Sequence, residues 1–268
     1  FGLPQSMPVR DRVEASFRRR IATLPAPTRM LLLVAAADPQ GDPALLWRAA
    51  SDLGIGFDAA APAEREGLVS IGARVAFRHP LVRSAIYRTA PVADRQNVHR
   101  ALAGATDAAR DPDRRAWHRA QSASGPDEDI AAELEQSAAR AKARGGLAAA
   151  AAFLESASML TPDPATRGSR ALSAAQLKFD AGAPEKAMAL LANAASAPLS
   201  ALQRALLERL GARITFSRLR ADHSVSDLLA AAKKLEPLDS ALARETYLEA
   251  LWAAMRIHDG SGKGLLAA

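Results

Sequence analysis

The chain of 268 residues has no cysteine, which excludes a disulfide framework, a thiolate metal site and a thiol nucleophile. That composition fits a cytoplasmic protein, and the cytoplasm is the expected compartment. Aromatic residues supply only 4% of a chain that is 49% hydrophobic. Alanine and leucine carry the apolar content, which favours closely packed helices over a sheet sandwich. No run approaches the ~20 uninterrupted apolar residues of a membrane span, so no membrane partner is expected.

Recognisable catalytic groupings are equally scarce. The histidines are His79, His99, His118, His223 and His258, and no two stand at i,i+4 beside a carboxylate, the spacing a helical zinc site needs. His99 and His118 fall on helical faces and read as partly buried polar residues. Glu64/Glu66 and Glu133/Glu135 are spaced i,i+2, which points each pair to different faces of a helix. There is no G-x-S-x-G elbow. The run Gly260-Ser261-Gly262-Lys263-Gly264 resembles a phosphate loop, but Ile257 stands where its first glycine is required. Gly264 stands where a Ser or Thr would hold magnesium. No catalytic, metal-ligating or DNA-binding residue is assigned, and this chain is not expected to be an enzyme. The net charge of +6 permits contact with phosphates, yet the basic residues are scattered rather than gathered into a stripe.

What is present is helix, with one interruption. At 67–87 the sequence reads G-L-V-S-I-G-A-R-V-A-F-R-H-P-L-V-R-S-A-I-Y. Leu68, Val69 and Ile71 alternate as one strand, Val75 and Phe77 as another, and Gly72-Ala73 is the expected turn. Pro80 suits the first position of a helix, where its missing N–H costs nothing. His79 is thereby placed at a helix N-terminus, whose free N–H groups and positive dipole end suit an anion such as phosphate. The plain reading of His79 is a cap at a strand-to-helix joint.

Upstream, the periodicity predicts a helix from Asp11 to Leu24, capped by Asp11 and broken by Pro25 and Pro27. A buried helix follows, capped by Thr28. Pro43 opens a third, closed by Gly54, and Asp58 caps a short fourth ending near Gly67. Helices, a two-stranded wing and one more helix over 25–95 make a winged-helix order; a plain bundle with an incidental hairpin is the alternative. If the wing read DNA, the short helix before it would enter the groove, where Glu64 and Glu66 oppose phosphate.

Beyond Pro91 the pattern is helices alone, with breaks at 111–112, 124–126, 145–146, 162–164, 182–184, 198, 221–222 and 236–237. It also repeats. G-G-L-A-A-A-A-A-F-L-E-S-A at 145–157 aligns with G-A-P-E-K-A-M-A-L-L-A-N-A at 182–194, and a further step aligns Leu228, Leu229 and Ala232. A period slightly above the ~34 residues of tetratricopeptide repeats predicts a helical solenoid over 96–268. The fold class expected is therefore mostly α: a winged-helix domain with a small β-hairpin, then a tetratricopeptide-like solenoid.

Several blocks carry a family resemblance. They are L-P-A-P-T-R-M-L-L-L-V-A-A-A-D at 24–38, D-P-A-L-L-W-R-A-A at 42–50 and F-R-H-P-L-V-R-S-A-I-Y at 77–87. D-P-D-R-R-A-W-H-R-A at 111–120 and A-A-F-L-E-S-A at 151–157, with its trailing L-T-P-D, extend it. Together they resemble actinobacterial LuxR-type regulators of the large ATP-binding class, which are signal-transducing ATPases. The resemblance implies a middle fragment, with 1–24 as the linker and helix leaving a preceding ATPase domain. The opening Phe1-Gly2-Leu3-Pro4, without an initiator Met, gives the same expectation. ADP or ATP with Mg is expected in the longer protein and no cofactor in this chain. The implied partners are the ATPase domain with its nucleotide, an inducer on the repeats, and DNA only through a C-terminal helix-turn-helix that this chain lacks. In the wider class, NOD-like receptors included, a winged-helix histidine touches the β-phosphate of ADP, and the resemblance gives His79 that role. Pro80 departs from the acidic residue common after that histidine in the receptor branch. The competing expectation is an interaction scaffold with no nucleotide coupling.

Overall fold

The computed structural model describes residues 9–219 and 223–262. Those residues form fourteen helices and a single two-stranded antiparallel sheet, so the protein is mostly α-helical. No helix among them is long and apolar enough to cross a membrane. The chain divides into two compact units, Phe1–Ser124 and Gly125–Ala268.

The first unit runs α1 (Val9–Ala22), α2 (Ala26–Ala37), α3 (Pro43–Asp52), a 3-10 turn (Phe57–Ala59), α4 (Ala60–Arg65), β1 (Val69–Ile71), β2 (Val75–Phe77), α5 (Pro80–Thr89), α6 (Val92–Ala105) and α7 (Pro112–Ser122). Its centre is α2, packed on α3, α4, α5 and α6. Every residue from Leu31 to Ala37 is 5% exposed or less, so this helix is apolar all round because it is covered all round. Each of its buried leucines stabilises the unit by about 1.5–3 kcal/mol.

The hairpin pairs Val69 with Phe77, Ser70 with Ala76 and Ile71 with Val75. Two strands alone are marginal in water, and the neighbouring loop supplies what they lack. Val75 N–H donates to the Gly41 carbonyl (2.9 Å) and Arg74 to the Gln40 carbonyl (2.9 Å). Glu64 Oε1 accepts from Ile71 N–H at 3.1 Å. Gly41 has φ +66°, and a Cβ there would stand 2.6 Å from the Val75 oxygen, so only glycine permits this approach.

Local details differ from the expectations. The first helix starts at Val9, so Asp11 is inside it rather than at its cap. Pro25, extended at ψ 148°, precedes α2, and Thr28 lies buried in the first turn instead of capping it. Asp58 falls within the 3-10 turn, and α4 starts without a side-chain cap. Gly72, Ala73 and Arg74 all belong to the hairpin turn, one residue more than a two-residue loop. The compact division falls after Ser124, because α6 packs on α2 and α3 and α7 packs on α6.

The second unit comprises α8 (Glu128–Ala143), α9 (Leu147–Leu160), α10 (Pro164–Asp180), α11 (Pro184–Ala195), α12 (Ala201–Leu219), α13 (His223–Leu235) and α14 (Ser240–Gly262). Each helix packs on the next, and α10 also meets α12. The predicted breaks separate these helices; the one at 221–222 lies outside the described residues, as do Lys263 and Gly264 of the glycine run. The aligned segments become α9, α11 and α13. Their matched alanines Ala157, Ala194 and Ala232 are all 0% exposed, which lets neighbouring helices approach closely. The third copy departs at Leu229, which is 39% exposed. Arg170 of α10, only 6% exposed, donates to Glu128 and Glu135 of α8 and to Thr161 Oγ1.

Candidate functional site

His79 is the N-cap of α5, in extended conformation. Its Nδ1 accepts the Leu81 N–H at 3.1 Å, so the neutral ring carries its proton on Nε2. The side chain is exposed, and the ring stacks against Phe17 of α1 at 6.2 Å between centroids. The same geometry uses up much of the helix end: Pro80 has no N–H, Leu81 N–H goes to the His79 ring, and Val82 N–H goes to the His79 carbonyl. The backbone cradle expected here is therefore largely closed by His79 itself, and what the joint presents is an imidazole N–H.

The charged neighbours are partly engaged. Arg83 donates through Nε to the Ala36 carbonyl at 2.9 Å. Arg20 of α1 holds the carboxylate and carbonyl of Glu66. With Glu64 on the Ile71 amide, both carboxylates that would oppose DNA have structural partners. Among the described residues no group of three or more His, Asp or Glu is placed to hold a metal ion.

A second polar assembly was not anticipated. His99 of α6 and His118 of α7 are each 0% exposed, and their Nδ1 atoms are 2.9 Å apart. Tyr87 Oη of α5 lies 2.7 Å from His99 Nε2. The direction of these bonds follows the tautomer: where Tyr87 donates to His99 Nε2, His99 donates from Nδ1 to His118 Nδ1 and His118 carries its proton on Nε2; the opposite tautomers reverse both bonds. His118 Nε2 is buried and meets no hydrogen-bonding partner among the described residues. Trp117 covers both rings, at 5.3 and 4.8 Å between centroids.

Burial pushes the pKa of His99 down to about 4, with the charge of Arg95 acting the same way. Burial lowers His118 to about 3; His99 and Arg114 add to the effect and Asp38 opposes it. Both rings are neutral at pH 7. Asp38, just after α2, accepts from Gly41 N–H (3.0 Å) and Asp42 N–H (3.3 Å). Arg114 Nη2 approaches its Oδ2 at 2.6 Å as a close ion pair, without hydrogen-bond alignment. These side chains come from different helices, and no fixed spacing in the sequence brings Tyr87, His99 and His118 together.

Among the described residues the second unit has several cavities, one of about 310 Å³ beside Met159 and Arg167 and two larger ones. One of about 460 Å³ has Leu172, Leu177 and Leu206 in its lining, with Lys142, Gln176 and Gln203 among its polar groups. The other, about 430 Å³, is lined by Phe179, Phe216 and Trp252 together with Arg213, Arg256 and Glu249. Both lie within the range of about 300–1,000 Å³ common for small-molecule pockets. Comparison with known protein families, with curated proteins and with solved structures finds no match to this chain.

Proposed function

We propose that this chain is the regulatory and sensor part of an ATP-dependent LuxR-type transcriptional regulator of the signal-transducing ATPase class. In this reading α2–α5 with the hairpin are a winged helix that clamps the ADP-bound resting state of a neighbouring ATPase domain. The helices of the second unit are tetratricopeptide-like repeats that bind an inducer or partner. The observation that carries the reading is His79: an exposed imidazole, fixed by its cap bond to Leu81, offering Nε2–H to an anion. A phosphate oxygen held by another domain is a suitable acceptor. The chain lacks a phosphate loop and its helix end is largely self-capped, so it contributes one contact to a nucleotide and no catalytic step.

The test is calorimetric titration of ADP into the longer protein that carries the ATPase domain. His79→Asn retains a capping side chain and removes the ring. The clamp reading expects at least a tenfold loss of affinity, about 1.4 kcal/mol; unchanged affinity refutes it. The second reading, an interaction scaffold without nucleotide coupling, is favoured by that self-capped helix end, which needs no ligand to be satisfied.

A further inference from the structure

The cavity of about 430 Å³ among α10, α12, α13 and α14 has a composition unlike the rest of this aromatic-poor chain. We propose that it binds a small aromatic carboxylate. Phe179, Phe216 and Trp252 give it three aromatic rings, and Leu228 and Ala253 add apolar lining. Trp252 is 63% exposed and shares an open face of α14 with Leu248, Leu251 and Met255; of these four it alone lines the cavity.

The charges select the ligand's other end. Arg213 has its Cζ 5.0 Å over the Phe179 ring and its Nε 3.6 Å from Glu249 Oε1, beyond hydrogen-bond length. Its fork of donors is oriented but not used up. Glu249 is already held by Arg209, at 3.1 and 2.8 Å. Glu249 therefore leaves a positive excess in the cavity. Arg256 stands one turn after Trp252 on α14, which puts guanidinium and indole on the same face. A guanidinium pairs with a planar carboxylate through two parallel hydrogen bonds, and the rings stack on a flat apolar body. The inference deepens the sensor reading and rests on it only for calling the ligand an inducer.

The test is titration calorimetry of the full chain with naphthalene carboxylate, and with naphthalene methanol as the neutral counterpart. Saturable binding at one site is expected, at least tenfold tighter for the carboxylate. Arg256→Gln and Trp252→Ala are each expected to weaken it at least tenfold, with thermal melts confirming that both variants fold. No saturable binding in the millimolar range, equal affinity for the neutral compound, or undiminished affinity in Arg256→Gln would overturn the proposal. His79→Asn is expected to bind the carboxylate like the unaltered chain. Failure of the ADP clamp and failure of this cavity are thus read in separate measurements.

Discussion

Acid should loosen the first unit well before its carboxylates titrate. His99 and His118 are fully buried, with pKa values held at about 4 and about 3 against an ordinary 6.5. Both folded-state values are depressed, so the unfolded chain binds protons that the folded chain refuses. The stabilisation is fully present above about pH 6.5 and is lost as pH falls below it. Each ring contributes about 1.4 kcal/mol per pH unit inside that window. Between pH 7 and 5.5 the two together remove about 2.5 kcal/mol, which for a unit of this size lowers the melting temperature by roughly 10 °C. The facing charges set the balance: Asp38 favours the protonated form, Arg95 and Arg114 oppose it, and the Tyr87 hydroxyl is neutral. Trp117 touches both rings and reports the transition, read in a chain whose Trp47 and Trp252 are replaced by phenylalanine. The double variant His99→Gln/His118→Gln has no imidazole to protonate here. It should melt lower at pH 7 and lose most of the pH dependence. A shift under about 3 °C between the two pH values, or an equal shift in the double variant, refutes the reasoning.

Arg170→Met keeps most of the volume of a side chain that is 6% exposed and removes its charge. Glu128 and Glu135 are half exposed and can return to water, so a loss of about 1–3 kcal/mol in urea unfolding is expected, below the cost of a fully buried pair. A neutral or stabilised variant would show that Arg170 does not fasten α10 to α8. Gly41→Ala meets both a positive φ and the Val75 oxygen at 2.6 Å. It should cost about 2–3 kcal/mol and speed hydrogen exchange at the Val75 amide; unchanged exchange there would refute the account of how the hairpin is anchored.

The parts of the fold written by local chemistry could be read directly. Pro43, Pro80, Pro112, Pro164 and Pro184 each begin a helix, because ring geometry and the missing N–H decide that position without tertiary help. The strand alternation of Val69, Ile71, Val75 and Phe77 was equally plain, since burial on one face imposes a period of two. What resisted reading was set by neighbours distant in the chain. Thr28 has the chemistry of a cap, yet packing around α2 buries it, and Pro25 supplies the helix entry. His99 and His118 pair across nineteen residues, and Arg170 reaches Glu128 across forty-two. Neither separation is a helical or strand period, so neither leaves a pattern in one sequence. Of the candidate site, the cap position of His79 followed from Pro80. That the cap would consume the Leu81 N–H, and so close much of the cradle, depended on a side-chain rotamer that spacing does not encode.

The short loop between α2 and α3 has a consequence for how motion travels in the first unit. Asp38 holds the amides of Gly41 and Asp42 and faces Arg114 of α7. From the same few residues, the Gly41 and Gln40 carbonyls hold Val75 and Arg74, and Asp42 caps α3. The hairpin that presents His79 and the helix from which the chain departs toward its second unit are thus riveted at one point. The Asp38 carboxylate thus ties the hairpin turn to α3 and, through its ion pair with Arg114, to α7, a polar link that runs beside the direct burial of Leu68 and Val69 in the hydrophobic interior.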